Sequence, residues 1–263
     1  MRWLQFTPPG ETAPTNGYID DKERVHAIRG APWEAHEATG QVHALADVKI
    51  EIPLLPRTFY AAGLNYVKHI HEQAARTGKA PNIPPQADIG YRAVNALVAH
   101  DQDVVIPADA QQIEYEGEVV VVVGRRAKHL REEEALDCIF GYTIGNDISE
   151  RLWQASDRTF WRAKNTDTFK PMGPWIETDF DIGKAQTRVR VNGEVRIDFH
   201  TAEMLYDIRT FITRMTRYLT LYPGDVIWMG TDGKSPQIVA GDVVEIDISG
   251  LGVLRNRFVA EKV

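Results

Sequence analysis

The sequence predicts a mainly β protein with a few helices, of the α+β class. Two observations support this prediction most directly: short alternating runs between turn formers fill most of the chain, and Asn192-Gly193 joins two alternating runs between Arg188 and Ile197. Asn-Gly supplies the positive φ angles of a type I′ hairpin turn. A third observation is that strands and helices do not alternate regularly, which argues against a doubly wound parallel sheet.

The chain is predicted to divide near residue 52. Residues 1–52 are rich in turn formers and predict a small N-terminal β-rich domain. Pro53 and Pro56 mark a change to a longer and more apolar part, residues 53–263, which is expected to be the catalytic domain. A length of 263 residues suffices for one large domain with a small extension.

Composition narrows the class of partner. The chain has 30 basic and 37 acidic residues and a formal net charge of −7, so nucleic acid is not expected as a partner. The acidity suits cation binding, although solubility alone explains most of these charges. Cys138 is the single cysteine, so no internal disulfide is possible, as in a reducing compartment. No apolar run has signal-peptide or membrane-helix length, and we expect a cytoplasmic protein without a membrane partner.

Helices are predicted in three places. Asn65 is expected to cap a helix that stops at Gly78. The run Leu130–Cys138 predicts a second helix, and the apolar stripe of Met204–Leu219 predicts a third, amphipathic one. The proline-rich segment 79–86 predicts an irregular loop between the first helix and the next strand.

Two glutamates are expected to lie side by side on one strand. Glu116 and Glu118 share a face because side chains two apart on a strand point the same way, and Gly117 leaves the opposite face open. Like charges so close repel unless a positive group joins them, and Mg²⁺, Mn²⁺ or Ca²⁺ prefers such oxygen ligands. The alternative is a solvent-exposed edge strand with surface glutamates.

Asp147 is a candidate third ligand. It ends a predicted strand that carries only small side chains on one face, at Gly141, Thr143 and Gly145. Something other than protein can therefore fill the space beside that face. A lone aspartate before a helix is more often an N-terminal cap. Three acids on two strands nevertheless favour a metal site.

His69 and Glu72 are three apart on the first predicted helix and therefore share a face. A carboxylate beside an imidazole raises its basicity, and such a pair can deprotonate water. The alternative is a solvated helix face, and zinc is disfavoured because helical zinc motifs place histidines four apart. Lys164 lies in a loop-like run, where a lysine is either solvated or placed over an anionic substrate.

Six motifs, in order over about residues 56 to 259, resemble the fumarylacetoacetate hydrolase superfamily. The matching segments are Ala62–Tyr66 with His69 and Glu72, Tyr115–Val119, Gly141–Ser149 followed by Arg151, Trp153 and Gln154, Lys164–Phe169 with Met172–Trp175, Tyr222–Ile227, and Gly241–Glu245 with Gly250–Asn256. The resemblance is to the bacterial branch of 2-hydroxyhepta-2,4-diene-1,7-dioate isomerases and fumarylpyruvate hydrolases. It implies a mixed β-sheet roll and a homodimer or a dimer of dimers.

The resemblance also implies roles for the residues. Glu116, Glu118 and Asp147 would bind one Mg²⁺ or Mn²⁺ per subunit. The implied catalytic residues are His69, Glu72 and Lys164, and the implied substrate-binding residues are Arg151 and Gln154.

Two segments depart from the family pattern at positions where such enzymes contact substrate. Ile89–Leu97 carries Tyr91 and Arg92 where an aromatic pair and a lysine are usual, and Thr231–Pro236 replaces the usual Thr-Pro-Ala-Gly. We therefore add Tyr91, Arg92 and Thr231 to the expected substrate contacts.

The expected function is metal-dependent hydrolysis of a C–C bond in a 2,4-dioxo acid of the fumarylpyruvate or acylpyruvate kind. The alternative on the same site is a 2-oxo acid decarboxylase or isomerase. A third class, a catalytically inactive metabolite-binding protein, is disfavoured because His69 and Glu72 accompany the three acids.

Overall fold

Strands dominate the protein, which is described here by a computed structural model over residues 1–262. The strands are β1 (Arg2–Thr7), β2 (Thr15–Ile19), β3 (Arg24–Arg29), β4 (Glu37–Ala44), β5 (Lys49–Ile50), β6 (Phe59–Ala62), β7 (Ile89–Tyr91), β8 (Leu97–Val98), β9 (Val104–Ile106), β10 (Ile113–Glu114), β11 (Gly117–Val123), β12 (Ile139–Asn146), β13 (Ser149–Glu150), β14 (Lys170–Glu177), β15 (Gln186–Val191), β16 (Glu194–His200), β17 (Val226–Trp228), β18 (Gln237–Ile238), β19 (Val243–Ile248) and β20 (Gly252–Ala260). The α-helices are α1 (Val67–Thr77), α2 (Arg151–Ser156), α3 (Trp161–Asn165) and α4 (Ile208–Tyr218). The prediction of a mainly β chain with few helices is confirmed.

The largest sheet is mixed. Its strands run in the order β4-β3-β2-β1-β14-β12-β11-β17-β6-β7, with β5 paired to β1 and β8 paired to β14. Most pairs are antiparallel, but β17 is parallel to β6 and β8 is parallel to β14. Two smaller sheets, β13-β10-β18 and β16-β15-β19-β20-β9, complete the roll.

The N-terminal strands continue the central sheet. Arg2 and Trp3 of β1 pair with Glu177 and Ile176 of β14. The predicted small β-rich part therefore shares backbone hydrogen bonds with the part that follows it.

Strand β11 lies at the centre of this sheet, and all seven of its residues are buried. Its valines fill both faces: Val119, Val121 and Val123 pack in one apolar cluster, and Val120 and Val122 pack in another. Burial on both faces explains the continuous β-branched run.

Protein fills the two spaces that the sequence predicts to be open. The ring of Trp228 lies 2.6 Å from the position that a Cβ on Gly145 would take, and Val189 lies 2.9 Å from the corresponding position on Gly117. The expectation that something other than protein fills the space at Gly145 is wrong, and the face at Gly117 is not open. These glycines allow close packing beside the acids.

The helices begin and end at residues that differ in part from those that the sequence predicts. Asn65 does not cap α1; its Nδ2 donates to the carbonyl oxygens of Tyr206 and Met229. The helix does end as predicted at Gly78, whose φ is 66°. The predicted helix Leu130–Cys138 is a 3-10 helix over Glu132–Cys138, and α4 begins only after the Asp207 cap.

The predicted hairpin and loop are confirmed. Asn192 and Gly193 turn between β15 and β16 with φ of 53° and 82°. Residues 79–86 contain no helix or strand. Over the described part of the chain, residues 1–262, no helix is long and apolar enough to cross a membrane.

Candidate metal centre and active-site cavity

Glu116, Glu118 and Asp147 meet where β11 and β12 pair. The register places Glu118 opposite Gly145, and the amide of Asp147 donates to the carbonyl oxygen of Glu116 at 2.9 Å. One carboxylate oxygen from each acid lies within 4.8 Å of the others, and all three side chains are buried. Two neighbouring strands therefore bring together three acids that the sequence separates.

Two cationic side chains neutralise Glu116. Lys164 Nζ lies 2.7 Å from Glu116 Oε2, and an Arg151 guanidinium nitrogen lies 2.7 Å from Glu116 Oε1. Burial opposes ionisation, but Lys164 and Arg151 outweigh it and lower the pKa of Glu116 to about 2.

Asp147 contacts three cationic side chains. Arg92 donates two hydrogen bonds to its carboxylate, at 2.8 and 3.1 Å, Lys164 Nζ lies 3.0 Å away, and Lys170 Nζ lies 2.8 Å away. Burial acts to raise the pKa of Asp147, but these positive charges hold it well below its usual range.

Glu118 is the acid whose charge the protein leaves uncompensated. Its carboxylate accepts a hydrogen bond from the amide of Gly230 at 2.7 Å, and within residues 1–262 it makes no ion pair. Burial, followed by repulsion from Asp147 and Glu116, raises the pKa of Glu118 well above its usual range. A hard divalent cation would relieve this repulsion, and three carboxylates are the donor set that Mg²⁺ or Mn²⁺ prefers. The residues present therefore fit such an ion.

A cavity of about 580 Å³ opens onto this cluster. The three acids, His69, Arg92, Arg151, Gln154, Lys164 and Thr231 all line it. Residues of the predicted irregular loop, including Pro84 and Gln86, form part of another wall. Its size and mixed polar and apolar lining are typical of a small-molecule site.

His69 lies on α1 and is held by backbone contacts. Its Nδ1 lies 2.8 Å from the carbonyl oxygen of Gly233, and its amide donates to the Asp232 carboxylate at 3.1 Å. Because a carbonyl oxygen only accepts, the neutral ring carries its proton on Nδ1 and has a free lone pair on Nε2. This is the protonation pattern of a general base.

The comparisons with known proteins agree with this architecture. Residues 58–259 match the family model described as Fumarylacetoacetate (FAA) hydrolase C-terminal, which covers most of the chain. The chain belongs to this family. Residues 1–53 match a second model, Rv2993c-like, N-terminal.

Three relatives of this fumarylacetoacetate hydrolase family member match over most of their length. Protein Rv2993c of Mycobacterium tuberculosis is 38% identical over 229 residues, 86% of this chain and 84% of that protein. A 2,4-didehydro-3-deoxy-L-rhamnonate hydrolase of Sphingomonas sp. is 32% identical over 98% of this chain and 95% of that protein. The crystal structure of 2-hydroxyhepta-2,4-diene-1,7-dioate isomerase from Mycobacterium marinum superposes with a TM-score of 0.88, at 32% identity and 100% coverage of both chains.

Lys164 has a different setting in this family member from the one that the sequence predicts. It lies on α3 instead of a loop, and only 4% of its surface is exposed. Its ammonium group is directed at two acids of the cluster, which explains how a lysine can be buried there.

Sequence reasoning missed two residues of the site. Lys170 is fully buried on β14, contacts Asp147 and donates to the carbonyl oxygens of Ile148 and Phe169; burial lowers its pKa to about 7. Asp232 holds the first turn of α1. The sequence could have indicated Lys170, because it is a charged residue in an otherwise apolar strand. No local sequence feature indicates a role for Asp232.

Two of the expected site residues are not among those that line the cavity. Glu72 is half-buried, and its Oε2 finds no hydrogen-bond partner among the described residues. Gly233, instead of Glu72, provides the partner of His69 Nδ1. Tyr91 is 58% exposed at the end of β7, whereas its neighbour Arg92 lines the cavity.

Proposed function

We propose that this chain is a metal-dependent hydrolase that cleaves a C–C bond in a 2,4-dioxo acid, using one Mg²⁺ or Mn²⁺ per chain. The observation that carries the proposal is a cluster of three buried carboxylates within 4.8 Å, at a cavity that His69 also lines. Glu116, Glu118 and Asp147 would hold the ion. A bound ion would supply a Lewis acid at the carboxylate and 2-oxo end of the substrate.

The side chains of the cavity supply the rest of the chemistry. His69 Nε2 accepts a proton from the water that attacks the C4 carbonyl. The C3–C4 bond then breaks, so that C4 becomes a carboxylate and C3 takes a proton to leave a 2-oxo acid. Lys164 and Arg151 stabilise the negative charge that develops beside the acids. Gln154 orients Arg151 by accepting a hydrogen bond at 2.8 Å.

A second candidate is an isomerase or decarboxylase of 2-oxo acids. The full-length likeness to the Mycobacterium marinum isomerase favours it. These reactions use the same acids and cations but need no attacking water. In an isomerisation, His69 Nε2 would instead move a proton between carbon atoms of the substrate.

Product analysis separates the two candidates. Protein freed of metal with a chelator is mixed with a 2,4-dioxo acid, and Mg²⁺ or Mn²⁺ is then added. Hydrolysis predicts metal-dependent loss of the dioxo-acid absorbance, with two acids as products and ¹⁸O from labelled water in the acid that contains C4. Release of CO₂ or a shifted double bond without label would instead support the second candidate. Absence of any metal-dependent reaction would reject both.

A further inference from the structure

We infer that Glu114 is a positioning residue of the active site: it fixes the direction in which the Arg151 guanidinium faces the acid cluster. Arg76 of α1 assists by neutralising Glu114. Neither Glu114 nor Arg76 is among the residues that line the cavity, so both act through Arg151. This inference rests on the proposed function, in which Arg151 stabilises the negative charge that develops beside the acids.

Glu114 is a buried carboxylate on an inner strand. It ends β10, which pairs with both β13 and β18, and only 3% of its side chain is exposed. Its Oε2 accepts a hydrogen bond from Arg151 Nε at 2.7 Å, and its Oε1 accepts one from the Gln112 side chain at 2.9 Å. A buried carboxylate needs such partners, because burial removes its hydration. The strand therefore holds this carboxylate at a fixed place beside Arg151.

The Arg151 guanidinium has a separate partner at each of its nitrogens. Nε faces Glu114, one terminal nitrogen donates to Gln154 Oε1 at 2.8 Å, and the other lies 2.7 Å from Glu116 Oε1. Because the group is planar and rigid, the partners of Nε and one terminal nitrogen determine where the other terminal nitrogen points. Glu114 and Gln154 therefore set how Arg151 meets the acid cluster.

Glu114 is the one of these two partners that does not move with Arg151. Gln154 lies on the same short helix, α2, so a shift of that helix carries both side chains together. Glu114 lies on a different element. The Arg151 amide also donates to the Gln112 carbonyl oxygen at 2.9 Å, just before β10. Residues 112–114 therefore support Arg151 from outside its own helix.

Arg76 joins this arrangement to α1. Both of its terminal nitrogens contact the Glu114 carboxylate, at 2.9 to 3.2 Å. Arg76 comes about two turns after His69 on the same helix. Glu114 thus contacts both the helix that carries the base and the arginine that faces the acids.

Positive and negative side chains alternate from α1 to the acid cluster. Neighbouring pairs in this row lie 2.7 to 3.0 Å apart, in the order Arg76, Glu114, Arg151, Glu116, Lys164 and Asp147. Without the charge of Glu114, Arg76 and Arg151 would repel each other, and Arg151 would keep only one of the two carboxylates that it now contacts. Its guanidinium would then turn towards Glu116 and leave the orientation that serves the reaction.

A double-mutant cycle with Mg²⁺-loaded protein and a 2,4-dioxo acid tests the inference. Glu114→Gln should lower kcat by roughly 10–100-fold through a misplaced Arg151, with KM little changed, because the stabilised charge develops only in the transition state. Arg151→Lys should also lower kcat. Adding Glu114→Gln to Arg151→Lys should lower kcat by less than about threefold more, because the planar group that Glu114 orients is already absent.

Asp198→Asn is the control. It removes an acid that is 39% exposed and paired with Arg188 in another sheet, and it should leave kcat unchanged. Full kcat in folded Glu114→Gln would overturn the inference, and so would a loss that multiplies fully in the double variant. Either outcome leaves the proposed metal-dependent hydrolysis intact.

Arg76→Gln carries the test if Glu114→Gln does not fold, because the Arg76 side chain is 33% exposed and its loss disturbs the interior less. It should lower kcat by several-fold in the wild type and leave kcat of Arg151→Lys unchanged. An equal loss in both backgrounds would show a structural role only and would overturn the inference.

Hydrogen exchange tests the same contact without turnover. The Arg151 Nε–H signal in the ¹H–¹⁵N NMR spectrum is identified by its loss in Arg151→Lys. It should be protected from exchange in the wild type and lose that protection in Glu114→Gln. Unchanged protection would overturn the inference. A wild type that keeps this protection but shows no metal-dependent turnover would instead reject the proposed function.

Discussion

The two ends of the cavity are built in different ways. The acid end, formed by Glu116, Glu118 and Asp147, depends on the pairing of β11 with β12. The hydrogen bond from the Asp147 amide to the Glu116 carbonyl oxygen extends this pairing. The base end rests on α1, where contacts from the segment around Asp232 hold His69 in place. The acids are held by the backbone hydrogen bonds of a sheet, so substitutions elsewhere should move them little. His69 is held by two contacts from a loop, so its position depends on those two contacts.

The ends also differ in electrostatics. Asp147 contacts three cationic side chains. Among the described residues, the His69 ring has one hydrogen-bond partner, the Gly233 carbonyl oxygen at Nδ1, and none at Nε2. The acid end is therefore organised to hold charge, and the base end is organised to exchange a proton. Four predictions test this division, and a fifth concerns assembly.

The largest expected effect is at the acid end. Glu118→Gln should remove metal-dependent turnover and weaken Mg²⁺ binding by more than the roughly 10–100-fold that loss of an outer-shell partner costs. The fold should survive, because Glu118 forms no ion pair among the described residues. Calorimetric Mg²⁺ titration and thermal unfolding measure the two effects. Unchanged metal affinity and turnover would refute the assignment.

Asp147→Asn is the variant to compare with Glu118→Gln. It should also lose metal binding, but it leaves Arg92, Lys164 and Lys170 around a neutral amide. Breaking a buried ion pair on one side costs about 3–5 kcal/mol, so this variant should unfold at lower denaturant concentration than Glu118→Gln. Equal stability of the two variants would show that these cations are not organised around Asp147.

The next largest effect is at the base end. His69→Ala should lower turnover by roughly 10²–10⁴-fold with metal binding retained, because general-base catalysis contributes about that much. Glu72→Gln should lower it less, since Gly233 already orients the ring. His71→Ala, an exposed neighbour on the same helix, is the control. Undiminished C–C hydrolysis by His69→Ala would show that water is activated elsewhere.

A smaller effect is expected at Asp232. Asp232→Ala should cost about 1 kcal/mol of stability, as loss of a helix cap does, and should lower kcat by up to about 10²-fold through a misplaced His69. Asp232→Asn keeps an oxygen that can accept from the His69 amide and should restore most of kcat. A purely structural role would lower stability in Asp232→Ala without lowering kcat of the folded fraction.

The smallest effect on turnover is expected from assembly. We expect a homodimer or a dimer of dimers, as in the family resemblance, and the exposed Trp161 on α3 offers an apolar contact. The three acids and His69, which line the cavity, all belong to one chain, so dilution should change turnover least of all. Sedimentation velocity at micromolar concentration tests the assembly, and a single 29.7 kDa species would contradict it.

The local sequence pattern was sufficient to predict several features of the structure. Period-two alternation predicted that Glu116 and Glu118 lie together, and their carboxylates do meet. Asn192-Gly193 predicted the hairpin, and Gly78 predicted the end of α1. Each of these features depends on residues a few positions apart, and backbone geometry relates such residues directly.

Other features depended on contacts between distant segments. Asp232 meets the amide of His69 across 163 positions, and Lys170 meets Asp147 because β12 pairs with β14. Trp228, not a ligand, fills the space at Gly145 because β17 lies beside β11. The sequence by itself determined that the Glu116 and Glu118 side chains lie close together. The tertiary structure decided which cations neutralise the acids of the cluster and which loop holds His69. Lys164 and Arg151 come from helices and Lys170 from a neighbouring strand, and no local period relates residues so far apart in the sequence.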